Sequence, residues 1–479
     1  MGSLTGRNSP DWDVLGGRLG GDLLTPRDER YRLARQLQLA EYDRVSPAAI
    51  AYCRDVADVR ACLEFATDHG VHLTPRSGGH NFAGWSTTSG LVVDLSRMDR
   101  VEVGQDSVWL EPGVQAVDAL VRLAAHGRSM VTGVCPTVCP PGFVTGGGLG
   151  FQTRAHGLAC DRLLAAELVL ADGRLVRTSA EEEPELFWAL RGGGAANFGI
   201  VVGLEVEPVE VSRMVLFTVV WPFDRALDVL DSWHDWMASA PVELSSEIGP
   251  VLMDAASGAP PVVMMFGGFF GERDALEEAL RELCAVSGAP PLQQDVTDLT
   301  YEQAMLALYK CADLAPAQRH RVGTTGEAVL PRQEYLRERH RMFDARPSRE
   351  LLAEALALFA ADPLPGQVRY LGVVGLGGVA NQLGRTETAY VHRDTRFMVK
   401  FTLIGEQVGE GVAAAEQWTG RGFALLDPHS ARESYLNYPD PALEDWKSSY
   451  YGENYQRLVE VKKAYDPNEV FTFPQSIGQ

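Results

Sequence analysis

The sequence predicts an α+β fold in two domains, the second a sheet covered by helices. Three observations predict it. Over the first 210 residues short strand-like and helix-like pieces interleave, and three glycine clusters punctuate them. From about Met214 longer strand-like runs alternate with amphipathic helices. A chain of 479 residues is long enough to build two large cores.

Taken in order, residues 48–70 open on a short strand and continue as a helix with Val59, Cys62, Leu63 and Ala66 at helical spacing, closed by Gly70. The stretch "HLTPRSGGH" reads as a strand entering a loop, "LVVDLS" as a buried strand and "VWLEPGV" as a short one. "AVDALVRLAAHG" is a helix with a glycine stop, and "AAELVLADGRLVRTS" a hairpin turning on Asp172-Gly173. "ELFWALRGGG" is a short helix running into a glycine turn, and "FGIVVGLEVEPV" a strand. In the second half, "MVLFTVVW", "PVVMMFGGFF", "VRYLGVVGLGG" and "RFMVKFTLIG" are strand-like, while "DRALDVLDSWHDWMASA" and "DALEEALRELCAVSG" are helical. The end of the chain is a charged helix stopped before Asp466-Pro467, then an extended tail.

Composition excludes several functions. A net charge of −21 disfavours nucleic acid and anionic membrane as partners, since both would be repelled. No run of about 18 apolar residues is present, so no transmembrane helix is expected. "MGSLTGRNSPDWDVLGG" lacks the basic and apolar regions of a secretory leader, and Gly6 breaks the myristoylation spacing, so a cytoplasmic location is expected. The seven cysteines are odd in number and scattered, which argues against a disulfide framework. Cys135 and Cys139 have no further His/Cys pair at metal-binding spacing, so no metal is expected.

The glycine clusters are Gly78-Gly79, Gly146-Gly147-Gly148 with Gly150, and Gly192-Gly193-Gly194 ahead of Gly199. Glycine lets a backbone approach a ligand and offer N–H groups to phosphate oxygens, although one such cluster alone is more simply a tight turn. Beside several strands, three clusters point to a nucleotide. They do not make a dinucleotide-binding Rossmann site, because no strong strand precedes Gly146 and no long helix pattern follows it. His80 follows two glycines, and Cys135 sits between Gly133 and Pro136 on a loop. Imidazole and thiolate are nucleophiles that can bond covalently to an electrophilic cofactor; the bland readings are a structural histidine and a small buried hydrophobe.

The stretches "PRSGGHNFAG", "GVCPTV", "TGGGLGF", "GLACDRLLAAELVLADGRLV", "ELFWALRGGGAANFGIV", "YLNYPD" and "KKAYDPNEVF" resemble, in this order, the motifs of berberine-bridge-enzyme-like flavin oxidases of the vanillyl-alcohol-oxidase superfamily. The resemblance is close over residues 45–210 and good over the last 45 or so; the middle is similar only in texture. It implies a bipartite FAD-binding domain over 1–210 with its core over about 45–210, a substrate domain over 211–430 with an antiparallel sheet covered by helices, and a segment 431–479 returning to the first domain. It also implies covalent FAD, tethered by His80 at the methyl carbon of the dimethylbenzene ring and by Cys135 through a thioether. Arg76, Ser77, Gly78 and Gly79, with Gly146, Gly147 and Gly148, would wrap the pyrophosphate. Gly199, Ile200 and Val201 would lie along the adenosine, and Asn81, Gly84, Gly142, Gly150 and Asn437 elsewhere around the cofactor. Val138 matches a position where a small side chain leaves room for O2. Tyr438 matches the family's catalytic base, which works only with a depressed phenol pKa or in concert with hydride loss.

Several residues depart from the family pattern. Cys139, followed by two prolines, stands where most relatives have glycine, so which cysteine bonds the flavin is open between Cys135 and Cys139, with Cys135 preferred. Phe82 and Leu376 stand where some relatives have tyrosine, and Lys400 where many have glutamine. A lysine buried there would have a lowered pKa and serve as reserve base or anion partner; the bland reading is a lysine pointing to solvent from a sheet edge. The expected function is an FAD-dependent oxidase taking hydride from an alcohol or hemiacetal carbon of a bulky natural product, such as a glycosylated or polyketide intermediate, and passing electrons to O2. The alternatives are an amine oxidase resembling hydroxynicotine oxidases and a flavin-binding protein without turnover. The expected partners are a small molecule and O2, with the chain a monomer or homodimer.

Overall fold

The computed structural model describes residues 10–255, 258–406 and 409–479. The expectations of no leader and no acylation rest chiefly on residues 1–9, which lie outside these. The predicted α+β class is observed, built on three sheets.

The first sheet has four strands in the order Asp22–Leu24, Ala49–Tyr52, Leu91–Asp94, Leu73–Arg76, the last three mutually parallel. The predicted helix is Val56–His69. It starts where the Asp55 carboxylate accepts from the Asp58 amide at 3.0 Å, and it stops at Gly70, whose φ of +62° is left-handed. Val59, Cys62, Leu63 and Ala66 are buried against Ala49, Leu91 and Val93, each large aliphatic side chain contributing about 1.5–3 kcal/mol.

The second sheet is antiparallel, in the order Val101–Val103, Val108–Leu110, Ile200–Val206, Leu163–Val169, Leu175–Ser179. The hairpin predicted at Asp172-Gly173 is present, with Gly173 at φ +80°. Its core includes residues from the end of the chain: Trp446, Tyr450, Leu458 and Val461 pack with Leu168, Leu186 and Leu204.

The third sheet has seven antiparallel strands, in the order Gln293–Thr300, Arg213–Pro222, Val262–Phe269, Leu244–Leu252, Gln367–Gly375, Phe397–Gly405, Tyr335–Phe343. Helices Ala226–Ser239, Arg273–Ser287, Arg349–Ala360 and Glu410–Leu426 cover one face, burying Trp221, Trp233, Phe401 and Trp418. Because side chains alternate along a strand, the residues between these point the other way. Much of that second face is polar, and it faces loops of the first two sheets across a cleft.

Candidate active site

The cleft encloses about 2100 Å³ of empty space, its open mouth included. Its walls come from loops that leave the first two sheets and from the segment around Asn437 and Tyr438; its floor is the polar face of the seven-stranded sheet.

One wall is the turn after strand Leu73–Arg76. Gly79 turns it with φ +69°, and Gly78 must be glycine because an added Cβ would lie 2.8 Å from the Thr137 carbonyl oxygen. Among the described residues the backbone N–H groups of Gly78, Gly79, His80 and Asn81 donate to no protein acceptor. Successive free N–H groups in a turn form an anion-binding concavity. His80 lines the cleft beyond them, its Nε2 2.7 Å from Thr137 Oγ1. Burial, helped by the charge of Arg321, pushes its pKa down to about 4, so the ring is neutral at ordinary pH.

Packed against this turn runs the loop Gly133–Cys139. The first turn of helix Ala116–Ala124 fixes it, since the otherwise orphaned amides of Ala116 and Val117 donate to the Val138 and Pro136 carbonyls, both at 2.9 Å. The Tyr309 hydroxyl donates to the Gly133 carbonyl at 3.1 Å. Cys135 and Val138 line the cleft, and Cys135 is exposed into it. Cys139 is buried beneath Gly78, its thiol pointing to the Gly113 carbonyl 3.7 Å away. Burial pushes both thiols up, but Lys400 draws that of Cys135 back while Asp94 and Asp118 drive that of Cys139 higher. Of the two, Cys135 is the accessible nucleophile.

The floor carries a charged cluster. Lys400 lies on strand Phe397–Gly405, an inner strand, with Nζ 3.0 Å from Glu247 Oε1 and 5.7 Å from each of the Tyr370 and Tyr438 ring centres. Glu338, on the neighbouring strand, accepts from the Thr402 hydroxyl at 2.6 Å, and its second oxygen has no hydrogen-bond partner among the described residues. This reverses two expectations for Lys400. It is not on a sheet edge, and although burial alone would lower its pKa, Glu247 and Glu338 overcome that and hold the ammonium above its ordinary range. The two carboxylates favour its charged form.

Tyr438 stacks on Phe82, ring centres 5.5 Å apart and planes at 10°, and its edge meets His340 and Tyr435. Burial drives its phenol above the ordinary value against the pull of Lys400, the direction opposite to the depression considered from the sequence. His340 is buried and neutral, pushed down to about 3 by burial and the nearby cations, and its Nε2 accepts from the Tyr435 amide at 2.7 Å.

The cluster depends on Gly372. A Cβ there would lie 2.7 Å from Lys400 Cε and 2.8 Å from Glu247 Oε1. Gly372→Ala is therefore expected to displace the ion pair and cost about 1–3 kcal/mol of unfolding free energy in a denaturant titration, with flavin content unchanged.

Of the residues singled out from the sequence, Ser77, Gly78, Gly79, His80, Asn81, Phe82, Cys135, Val138, Cys139, Gly142, Gly150, Gly199, Val201, Leu376, Lys400, Asn437 and Tyr438 line this one cleft. Arg76, Gly84, Gly146, Gly147, Gly148 and Ile200 do not. Arg76 is buried in an ion pair with Asp94 at 2.6 Å and donates to the Ala34 carbonyl, so it braces the turn from behind. Gly84 makes room for the Tyr42 ring, Gly146 for the Asn437 side chain, Gly147 for Tyr390 and Tyr435, and Gly148 for Ala159 and Phe143. Gly146, Gly147 and Gly148 thus pack against side chains and do not line the cleft; the amides of Gly148 and Leu149 donate to the Tyr435 hydroxyl at 2.9 and 3.1 Å. Ile200 is fully buried in the core of the first sheet. Sequence reasoning missed Thr137, Glu247, Glu338, His340 and Tyr370. For Glu247 a signal was present: "LSSEIGPVL" alternates, with Leu244 and Ile248 on the helix-covered face and Ser245 and Glu247 on the cleft face.

The chain is similar to known proteins in sequence and in fold. A family model described as FAD binding domain matches residues 47–179, and one described as berberine and berberine like matches residues 434–478. The uncharacterized FAD-linked oxidoreductase YgaK of Bacillus subtilis is 28% identical over 476 residues, covering 96% of this chain and 97% of its own. Chitooligosaccharide oxidase of Gibberella zeae is 29% identical, covering 90% and 87%. Glucooligosaccharide oxidase of Acremonium strictum, whose structure is described with a 6-S-cysteinyl, 8α-N1-histidyl FAD, superimposes with a TM-score of 0.85 at 24% identity, covering 97% of this chain and 98% of that one. The cleft into which His80 and Cys135 open lies between the two matched segments and the long sheet, and the chain carries an FAD binding domain and a berberine-like C-terminal segment.

Proposed function

We propose that this chain is an oxidase that holds FAD through His80 and Cys135 and oxidises an alcohol or hemiacetal carbon of a bulky natural product, passing the electrons to O2 and releasing H2O2. The observation that carries the reading is that a neutral imidazole, an exposed thiol, a phenol and a fixed ammonium line a single cleft. The cleft suits the cofactor. The free amides of Gly78 to Asn81 form a place for the pyrophosphate, and an added Cβ at Gly142 would meet nothing within 4 Å, leaving that wall open to a ligand. His80 and Cys135 match, in type, the two attachments described for the Acremonium enzyme.

Bound FAD supplies a two-electron acceptor. The chain supplies the rest. Tyr438 takes the substrate hydroxyl proton as hydride leaves the adjacent carbon, and Lys400, 5.7 Å from its ring, offsets the negative charge that develops on the phenol oxygen. The small side chain of Val138 leaves space for O2. In this reading residues 1–210 with 431–479 hold the cofactor, and 211–430 present the substrate.

The test is acid denaturation. Flavin is expected to stay with the wild-type polypeptide and with His80→Ala and Cys135→Ala singly, and to be released from the double variant. Purified enzyme is expected to release H2O2 with alcohols and sugar hemiacetals in preference to amines. Free flavin from the wild type, or turnover of amines alone, overturns the proposal.

A further inference from the structure

We propose that Thr137 is a positioning residue for flavin attachment: it holds the His80 proton on Nε2 and so presents Nδ1 as the nucleophile. The inference rests on the reading of His80 as a tether. A neutral imidazole carries one N–H and one lone pair, and the hydrogen bond made by one nitrogen fixes what the other does. Here Nε2 is occupied, 2.7 Å from Thr137 Oγ1, while Nδ1 has no protein partner among the described residues. With the Thr137 hydroxyl as acceptor, the ring proton sits on Nε2. That leaves the lone pair on Nδ1, on a residue that lines the cleft.

The geometry around the pair is rigid. Thr137 is buried, and its carbonyl is packed against Gly78, where a Cβ would clash at 2.8 Å. The flanking Val138 and Pro136 carbonyls are held by the amides of Ala116 and Val117 at the start of a helix. Thr137 is therefore fixed from both sides, and so is the ring nitrogen it engages.

In the attachment a C–H bond of the flavin methyl group breaks and an Nδ1–C bond forms. The methyl proton and the Nε2 proton, the latter leaving along the hydrogen bond to Thr137, go with one electron pair to the flavin ring. Dioxygen then removes that pair and both protons as H2O2. A proton on Nδ1 would block the first bond-making step, which is why the tautomer matters.

The experiment uses the Cys135→Ala enzyme, where His80 is the only proposed tether, and measures the fraction of flavin that stays with the polypeptide after acid precipitation, freshly purified and after ageing with excess FAD. Thr137→Val, nearly the same shape without the hydroxyl, is expected to slow attachment about tenfold, on the scale of one lost hydrogen bond to a polar ring, while binding noncovalent FAD as tightly as its parent. Thr137→Ser keeps the hydroxyl and is expected to restore attachment, an outcome that a merely structural role would not give. Equal attachment in the valine and parent proteins, or failure of serine to restore it, overturns the proposal. Loss of all covalent flavin from Cys135→Ala itself, with Thr137 intact, overturns the His80 tether instead.

Discussion

Tyr438→Phe is expected to lower kcat by roughly 10²- to 10⁴-fold, the usual worth of a positioned proton acceptor, while leaving the flavin attached and the fold unchanged. The hydroxyl is the only group lost. The ring stays stacked on Phe82 and edge-on to His340 and Tyr435, so the packing that positions the residue survives. Burial holds the phenol protonated at rest, and Lys400 opposes this without winning. Two consequences follow for the measurement. Activity of the parent enzyme has no phenolate limb in the neutral range, because no resting deprotonation is needed. Stopped-flow flavin reduction, which isolates the chemical step, falls with kcat, whereas reoxidation by O2 does not change. Unchanged reduction in the variant removes Tyr438 from the chemistry and turns attention to Glu247, the other proton acceptor lining the floor.

The framework of this fold was legible where side-chain period and end signals agree, as in the helix Val56–His69 between Asp55 and Gly70 or the hairpin at Gly173. It was illegible where function sits. Strand Tyr335–Phe343 reads "YLRERHRMF", without hydrophobic alternation, because both faces carry polar groups. Glu338 and His340 belong to the floor, while Arg339 and Arg341 lie on the Phe423 ring of the covering helix, 4.0 and 4.4 Å from its centre. Strand Gln293–Thr300 was missed for a different reason: it is an edge strand, largely solvent-facing and polar along its length. At the site, the motifs picked out His80 and Cys135, both of which line the cleft, but a motif does not say which of its glycines faces the ligand. Gly78 and Gly146 look alike in sequence, yet one belongs to the cleft wall and the other packs against Asn437. Likewise the sign of the Lys400 pKa was set by Glu247 and Glu338, residues 153 and 62 positions away in sequence that meet it only across the sheet.

Lys400→Met is expected to destabilise the protein by about 3 kcal/mol, because removing one partner of a buried ion pair leaves the other charge uncompensated. Methionine fills the same space, so the loss is electrostatic and not a cavity. Lys400 and Glu247 are each largely buried, with side-chain exposures of 12% and 14%, so solvent screens them little. The pH dependence identifies the cause. Burial already raises the Glu338 carboxyl above its ordinary value, with Lys400 pulling it down and Glu247 pushing it up. Without the lysine it rises further. A carboxyl whose folded pKa is raised binds more protons folded than unfolded, so stability is lost as pH climbs from the ordinary carboxyl value, about 4.3, through the raised one. The deficit of Lys400→Met in urea midpoint should then be small near pH 4 and grow towards neutrality. Adding Glu247→Gln should recover part of it, since it removes one of the two stranded charges. A deficit that is flat in pH, or a double variant no more stable than Lys400→Met alone, would show that the ammonium acts through packing and that its charge is not what the floor of the cleft is built around.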